Sequence, residues 1–210
     1  MRIAELSSRS GTSIPTIKYY LREGLLAAGT ATGRNQADYP EQHVHRLRLI
    51  RALIDVGGLS IAAAKDVLAA LDSAQLPDLE LLGTTQHALG RAAGRDRGSA
   101  VWRAAREEVV ALARDNGWRV GSDSPNLDQA ADAVAAMRAL DQADLLDCLP
   151  TYFAAAQQLA AAEVAAVLRR SDPAQMVEGV VAGTILGEAL FGAVRRLAHE
   201  HTSITLLEGR

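Results

Sequence analysis

Through the first third of the chain, apolar residues recur at helical spacing in short runs, each broken by glycine or proline. Ile3, Ala4 and Leu6 open one helix, Ser10-Gly11-Thr12 interrupts it, and a second run begins after Ser13. That second run, residues 14–26, reads Ile-Pro-Thr-Ile-Lys-Tyr-Tyr-Leu-Arg-Glu-Gly-Leu-Leu. Ile14, Ile17 and Leu21 share a face and pack inward, which leaves Thr16, Lys18, Tyr19 and Tyr20 toward the open side. Ser13 is a good N-cap because its hydroxyl accepts from a free amide of the first turn. Pro15 falls in that turn, where a missing amide proton does little harm, and Gly24 suits the position just past the helix end. Two short helices joined by a tight glycine turn predict a helix-turn-helix, whose second helix can enter the DNA major groove.

The pattern then changes twice. Ala27 to Tyr39 is rich in Ala, Gly and Thr, carries Arg34 and Asn35, and suits a small wing. Pro40 restarts a helix with Val44, Leu47, Ile50 and Ile54 at helical spacing. Gly57-Gly58 stops it, and Ser60 caps another helix through Ala64, Val67 and Leu71.

This order resembles the DNA-binding domain of the MerR family of bacterial transcription regulators. The likeness rests on Ile3-Ala4-Glu5-Leu6, Gly11-Thr12-Ser13, Thr16-Ile17-Lys18-Tyr19-Tyr20, Gly24-Leu25-Leu26, Tyr39, His43-Val44, Leu47, Ile50 and Gly58-Leu59-Ser60-Ile61. Two departures stand out. Leu21 takes the place where the family usually has an acidic residue. Ala27-Ala28-Gly29-Thr30 stands where a proline and an arginine usually follow the Gly-Leu-Leu step. The resemblance implies that Thr16, Lys18 and Tyr19 lie at the groove, with Tyr20 partly structural. It also implies that Arg34, Asn35 and Tyr39 reach backbone phosphate from the wing. Lys18 is the first choice for a base-edge contact, since a lysine there can reach guanine acceptors.

Behind the head, Pro77, Gly83, Gly90, Gly94 and Gly98 break residues 73–98 into a linker with short helical pieces. MerR-like proteins usually join head to effector domain through a long dimerising coiled coil, but this stretch shows no sustained heptad. Regular patterns return from Ser99. Val101, Ala105, Val109 and Leu112 line one helix. After the Ser124-Pro125 start, Leu127, Ala130, Val134 and Met137 line the next. Leu145–Leu168 follows, with Pro150 at a start or kink and Leu149, Phe153, Ala156, Leu159 and Val167 on its apolar side. Asp172-Pro173 opens a last helix to about His199. The expected fold is mainly α: a winged helix-turn-helix over residues 1–72, the linker, and a helical effector-binding or dimerisation bundle over 99–210. In the last helix Gly179, Gly183 and Gly187 form a stripe. It suits either a homodimer interface or close packing inside the bundle.

Composition narrows the function. With 49% hydrophobic and 22% charged residues the 210-residue chain is an ordinary globular protein, and 4% aromatics leave the core to Ala, Leu and Val. Its net charge of −3 hides an asymmetry: residues 1–70 hold nine Lys or Arg against six acids, a net +3, so the remainder carries −6. A basic head on an acidic body suits a protein that presents one end to phosphate. The lone Cys148 and the absence of a signal-peptide pattern point to the cytoplasm. Charges at Glu178, Glu188, Arg195 and Arg196 within the most apolar stretch favour a buried helix over a membrane span.

Other chemistries find little support. One cysteine cannot supply the thiolates of a metal or iron–sulfur sensor. The pairs His43/His45 and His199/His201 are i, i+2 on helices, point to different sides and read as solvent-facing. No cofactor is expected. No phosphate loop, G-x-S-x-G elbow or nucleophile–base pair is present, so no enzyme is expected. A pocket for a small apolar effector would draw on Trp102, Trp118, Tyr152, Phe153 and Phe191, which otherwise serve as core. These features predict a homodimeric transcription regulator on a near-palindromic site in double-stranded DNA. Resemblance adds the promoter-distorting mechanism of the family, which realigns contacts with RNA polymerase. The alternative is an effector-independent repressor or architectural protein whose body only dimerises.

Overall fold

The computed structural model of the chain describes residues 1–33, 36–73 and 97–208. Its elements run α1 (Ile3–Ser10), α2 (Ile14–Glu23), β1 (Thr30–Gly33), β2 (Gln36–Asp38), α3 (Glu41–Arg51), a π-helical turn (Ala52–Val56) and α4 (Ile61–Ser73). After the linker come α5 (Ala100–Asp115), α6 (Pro125–Ala139), a 3-10 turn (Ala143–Cys148), α7 (Leu149–Leu168) and α8 (Pro173–Glu208). The architecture is mainly α, with a winged helix-turn-helix first and a helical C-terminal part. The described residues fall into two compact units: those of Met1–Ala88 with Val177–Arg210, and those of Leu89–Met176. Most of α8 therefore groups with the head, which a boundary at residue 99 does not anticipate.

The head closes around Leu6, Ile17, Leu25, Val44, Leu47, Ile50, Leu53, Val67 and Leu68, each almost fully buried. β1 and β2 form an antiparallel wing pairing Thr30 with Asp38 and Ala31 with Ala37, with an irregularity between Ala31 and Gly33. The wing is pinned at its base. Met1 N donates to Tyr39 O (2.9 Å), and Tyr39 N donates back to Met1 O (2.8 Å). Arg2 donates to Thr32 Oγ1 (2.6 Å) and lies 3.5 Å from Asp38.

Three arginines of α3 fasten the frame behind the recognition helix. Arg48 donates to Arg9 O (3.1 Å) and Arg51 to Gly11 O (3.0 Å), so the carbonyls at the end of α1 are satisfied by side chains. Arg46 donates to Leu25 O (3.2 Å) and forks onto both Asp72 oxygens (2.8 and 2.6 Å), joining α3, α4 and the loop after α2.

α8 seats its first part in the same unit as the head. Val177, Val181 and Ile185, spaced four apart, are buried there, and His45 on α3 meets Glu178 at 2.8 Å. Gly57, at the end of the π-helical turn, admits Ile185. A Cβ on Gly57 would clash with Ile185 Cγ2 and stand 2.7 Å from Leu53 O. The helix runs on to Glu208, beyond the expected end near His199, because no Gly, Pro or Asn intervenes. By length and composition it could cross a membrane, a test that core helices of soluble proteins also pass. The expected burial of this helix holds only for its first part.

In the second unit α5 packs on α6 through Ala105, Val109, Ala113, Leu127, Ala131 and Val134, with Phe153 of α7 closing the cluster. Gly117 and Asp141 take positive φ at the turns after α5 and α6. Ser124 and Pro125 begin α6, and Pro150 sits in the first turn of α7, as their spacing predicts. Of the residues expected on the apolar side of α7, only Phe153 is buried. Alanine dominates the rest of that helix, so propensity sustains it with little packing.

Candidate nucleic-acid interface

α2 is defined at both ends by its own sequence. Ser13 Oγ accepts from Thr16 N (3.3 Å) and lies 2.7 Å from Thr16 Oγ1. Gly24 adopts φ 77°, ψ 18°, and its N–H points back to Tyr20 O and Leu21 O. Gly11, with φ 66°, makes the same left-handed exit from α1. The two glycines therefore set where the recognition helix begins and ends.

The helix faces follow from this frame. Ile17 is fully buried, and Ile14 and Leu21 are half-buried beside it. Lys18 is exposed and has no partner among the described residues, and Thr16 and Tyr19 are half-exposed. Tyr20 is not on the open side: it is only 6% exposed. Its position three residues after Ile17 brings it round to the same inward face, not to the open side expected from the sequence. Burial raises the Tyr20 phenol above its ordinary value of 10.0, Asp55 adds to the rise, and Arg51 opposes it.

One neighbour at this surface was not picked out from the sequence. Arg22 places its guanidinium 5.2 Å from the Tyr19 ring centroid while pairing with Glu23 (3.4 Å). The i, i+3 spacing of an aromatic and a cation on one helix was the available signal.

The wing residues divide. Arg34 and Asn35 lie outside the described residues. Tyr39 is 7% exposed, and its ring packs edge-on against His43 at 5.3 Å. Gly29 lies against the same ring. Much of the positive charge counted in the head is already engaged. Arg9 holds Glu41, Arg46 holds Asp72 and Arg51 holds Asp55.

The histidine and aromatic candidates are also placed. His43 Nε2 lies 3.1 Å from Ala27 O while His45 turns to Glu178, so the pair faces different partners. Among the described residues no three His, Cys, Asp or Glu side chains are gathered for a metal. Trp118 stacks on Phe153 with centroids 4.8 Å apart and bonds Gln157. Trp102 donates to Asp132 Oδ1 at 2.7 Å, within a network in which Arg97 and Arg106 bridge to Asp128. Tyr152 is exposed, and Phe191 belongs to the other unit. Trp102, Trp118 and Phe153 all pack on the core cluster of the second unit. Of the glycine stripe, Gly179 is buried, Gly183 and Gly187 are half-buried, and a Cβ on Gly183 would meet nothing within 4 Å.

A capped helix with an outward lysine, held by a helical frame and flanked by a two-stranded wing, defines a winged helix-turn-helix protein. Residues 1–71 match the family model described as "MerR HTH family regulatory protein". The chain is similar over nearly its whole length to a solved structure, the "putative transcriptional regulator SCO5550" of Streptomyces coelicolor A3(2). The identity is 38%, the TM-score 0.73, and the match covers 97% of this chain and 96% of that one. The chain belongs to the MerR family. Over 69 residues it is 38% identical to the "HTH-type transcriptional regulator HmrR" of Sinorhizobium medicae (strain WSM419). Over the same length it is 36% identical to the "Heavy metal-dependent transcription regulator 2" of Rhizobium meliloti (strain 1021). Each match takes in 33% of this chain and 46% of the relative, so the chain spans about half the length of these relatives.

Proposed function

We propose that this chain is a cytoplasmic transcription regulator that binds a near-palindromic promoter site in double-stranded DNA as a homodimer. The observation that carries the reading is α2: capped at Ser13, ended at Gly24, and presenting Lys18 with Thr16 and Tyr19 away from the core. Lys18 reads base edges, Thr16 and Tyr19 line the groove, and Arg22 holds the Tyr19 ring in place. Tyr20 and Tyr39 support this surface from within, and the wing with Arg34 and Asn35 grips the adjoining backbone. Family resemblance supports action by distorting promoter DNA and so realigning RNA polymerase. Bending such a site costs on the order of a few kcal/mol, offset by added phosphate contacts.

For the body, Trp102, Trp118 and Phe153 are engaged in core contacts. This favours the effector-independent reading over control by a small apolar effector. A thermal-shift screen of small apolar ligands separates the two, since an effector would raise the melting temperature.

Genome-wide footprinting of the purified protein tests the whole reading by giving site, symmetry and spacing together. Within the recovered site, Lys18→Ala is expected to reduce discrimination against a mismatched base by about 1–3 kcal/mol. It should weaken non-specific binding much less, as read by gel shift at fixed salt. Equal weakening on every sequence would instead make Lys18 a phosphate contact.

A further inference from the structure

Among the described residues of the winged helix-turn-helix, every arginine but one has a terminal nitrogen engaged inside the protein. Arg2, Arg9, Arg46, Arg48 and Arg51 each donate such a nitrogen to a side-chain oxygen or a backbone carbonyl. Arg22 donates only through Nε, to the adjoining Glu23 at 3.4 Å, and its side chain is 71% exposed. Its two terminal nitrogens have no hydrogen-bond partner among the described residues.

The guanidinium is nonetheless held. Its central carbon lies 5.2 Å from the centroid of the Tyr19 ring. That ring in turn tilts against the buried Tyr20, with centroids 5.9 Å apart. From the core outward, Tyr20, Tyr19 and Arg22 form a stack that orders the guanidinium before any DNA arrives, which lowers the cost of ordering it on binding. Arg22 follows Lys18 by four residues, so the two lie about 40° apart around the helix and about 6 Å apart along it. Both are exposed.

We infer that Arg22 is a second base-reading residue of α2, taking the O6 and N7 acceptors of a guanine through its two terminal nitrogens. This rests on the DNA-binding reading above and adds a specificity determinant to it. An arginine fork matches those two acceptors in the major groove. The carboxylate beside it favours a base over the backbone: Glu23 offsets the arginine charge and repels phosphate, while a guanine edge is neutral. With α2 lying along the groove, 6 Å spans about two base-pair steps of 3.4 Å each. The guanine read by Arg22 therefore stands about two base pairs from the base read by Lys18, and a near-palindromic site repeats the spacing in both halves.

Selection of binding sites from a randomised duplex library by the full chain tests this, followed by gel shifts on the recovered site. Lys18→Ala marks the position that the lysine reads. Arg22→Ala should lose guanine preference at a different position, about two base pairs away, by about 5- to 150-fold. Arg22→Gln should turn the preference there to adenine, because glutamine matches the adenine N6 and N7 pair, an outcome that a merely supporting role would not produce. Uniform weakening on every sequence, with the salt slope reduced by about one, would make Arg22 a phosphate contact and overturn the proposal. An unchanged motif in both Arg22 variants, or loss confined to the Lys18 position, would overturn it as well, while leaving the DNA-binding reading in place. A wild-type chain that selects no sequence would remove both.

Discussion

At Gly57 a single missing methyl group decides whether α8 can seat on the head. The contacts an added Cβ would make are with Leu53 backbone and with a buried isoleucine, neither of which can move aside easily. Gly57→Ala is expected to destabilise the head by about 1–3 kcal/mol through overpacking, measured by denaturant unfolding. Tyr20 offers a test by pH. Its folded pKa lies above the unfolded value of 10.0, so unfolding releases a proton once pH exceeds that value. Stability from this group is full below pH 10.0 and declines as pH rises through the folded pKa. Tyr20→Phe should flatten the alkaline loss of melting temperature. Sequence spacing already carried the inward place of Tyr20 through its three-residue step from Ile17. The tyrosine pair as a motif drew attention to the surface instead.

Among elements, α2 was the most legible, because Ser13, Pro15 and Gly24 act on the backbone within a few residues and need nothing distant. What fastens it was not legible. Arg46, Arg48 and Arg51 read as positive charge available for phosphate. Folding turns Arg48 and Arg51 onto carbonyls of α1 and the turn that follows it, and Arg46 onto Leu25 O and Asp72. Arg46→Ala removes three hydrogen bonds at a side chain that is 21% exposed. It should cost about 1.5–3 kcal/mol of head stability, seen as a lower melting temperature at neutral pH. α7 shows the reverse case. Its apolar spacing predicted a buried side, yet of Leu149, Phe153, Ala156, Leu159 and Val167 only Phe153 is buried.

For the molecule as a whole, an acidic chain presenting a basic head is a problem of distribution, and net charge alone says little about it. Binding of duplex DNA by the full chain should therefore fall steeply as salt rises, as read by gel shift, despite the net negative charge.

Local chemistry in the chain was enough to determine the helix-turn-helix, the wing, the helix starts and the family, since caps, glycines and apolar spacing act over a turn or two. Tertiary structure alone decided which arginines are engaged, which unit α8 joins and how far along α8 burial extends. Those outcomes depend on residues more than a hundred positions apart, such as His45 and Glu178, meeting only once the backbone is folded.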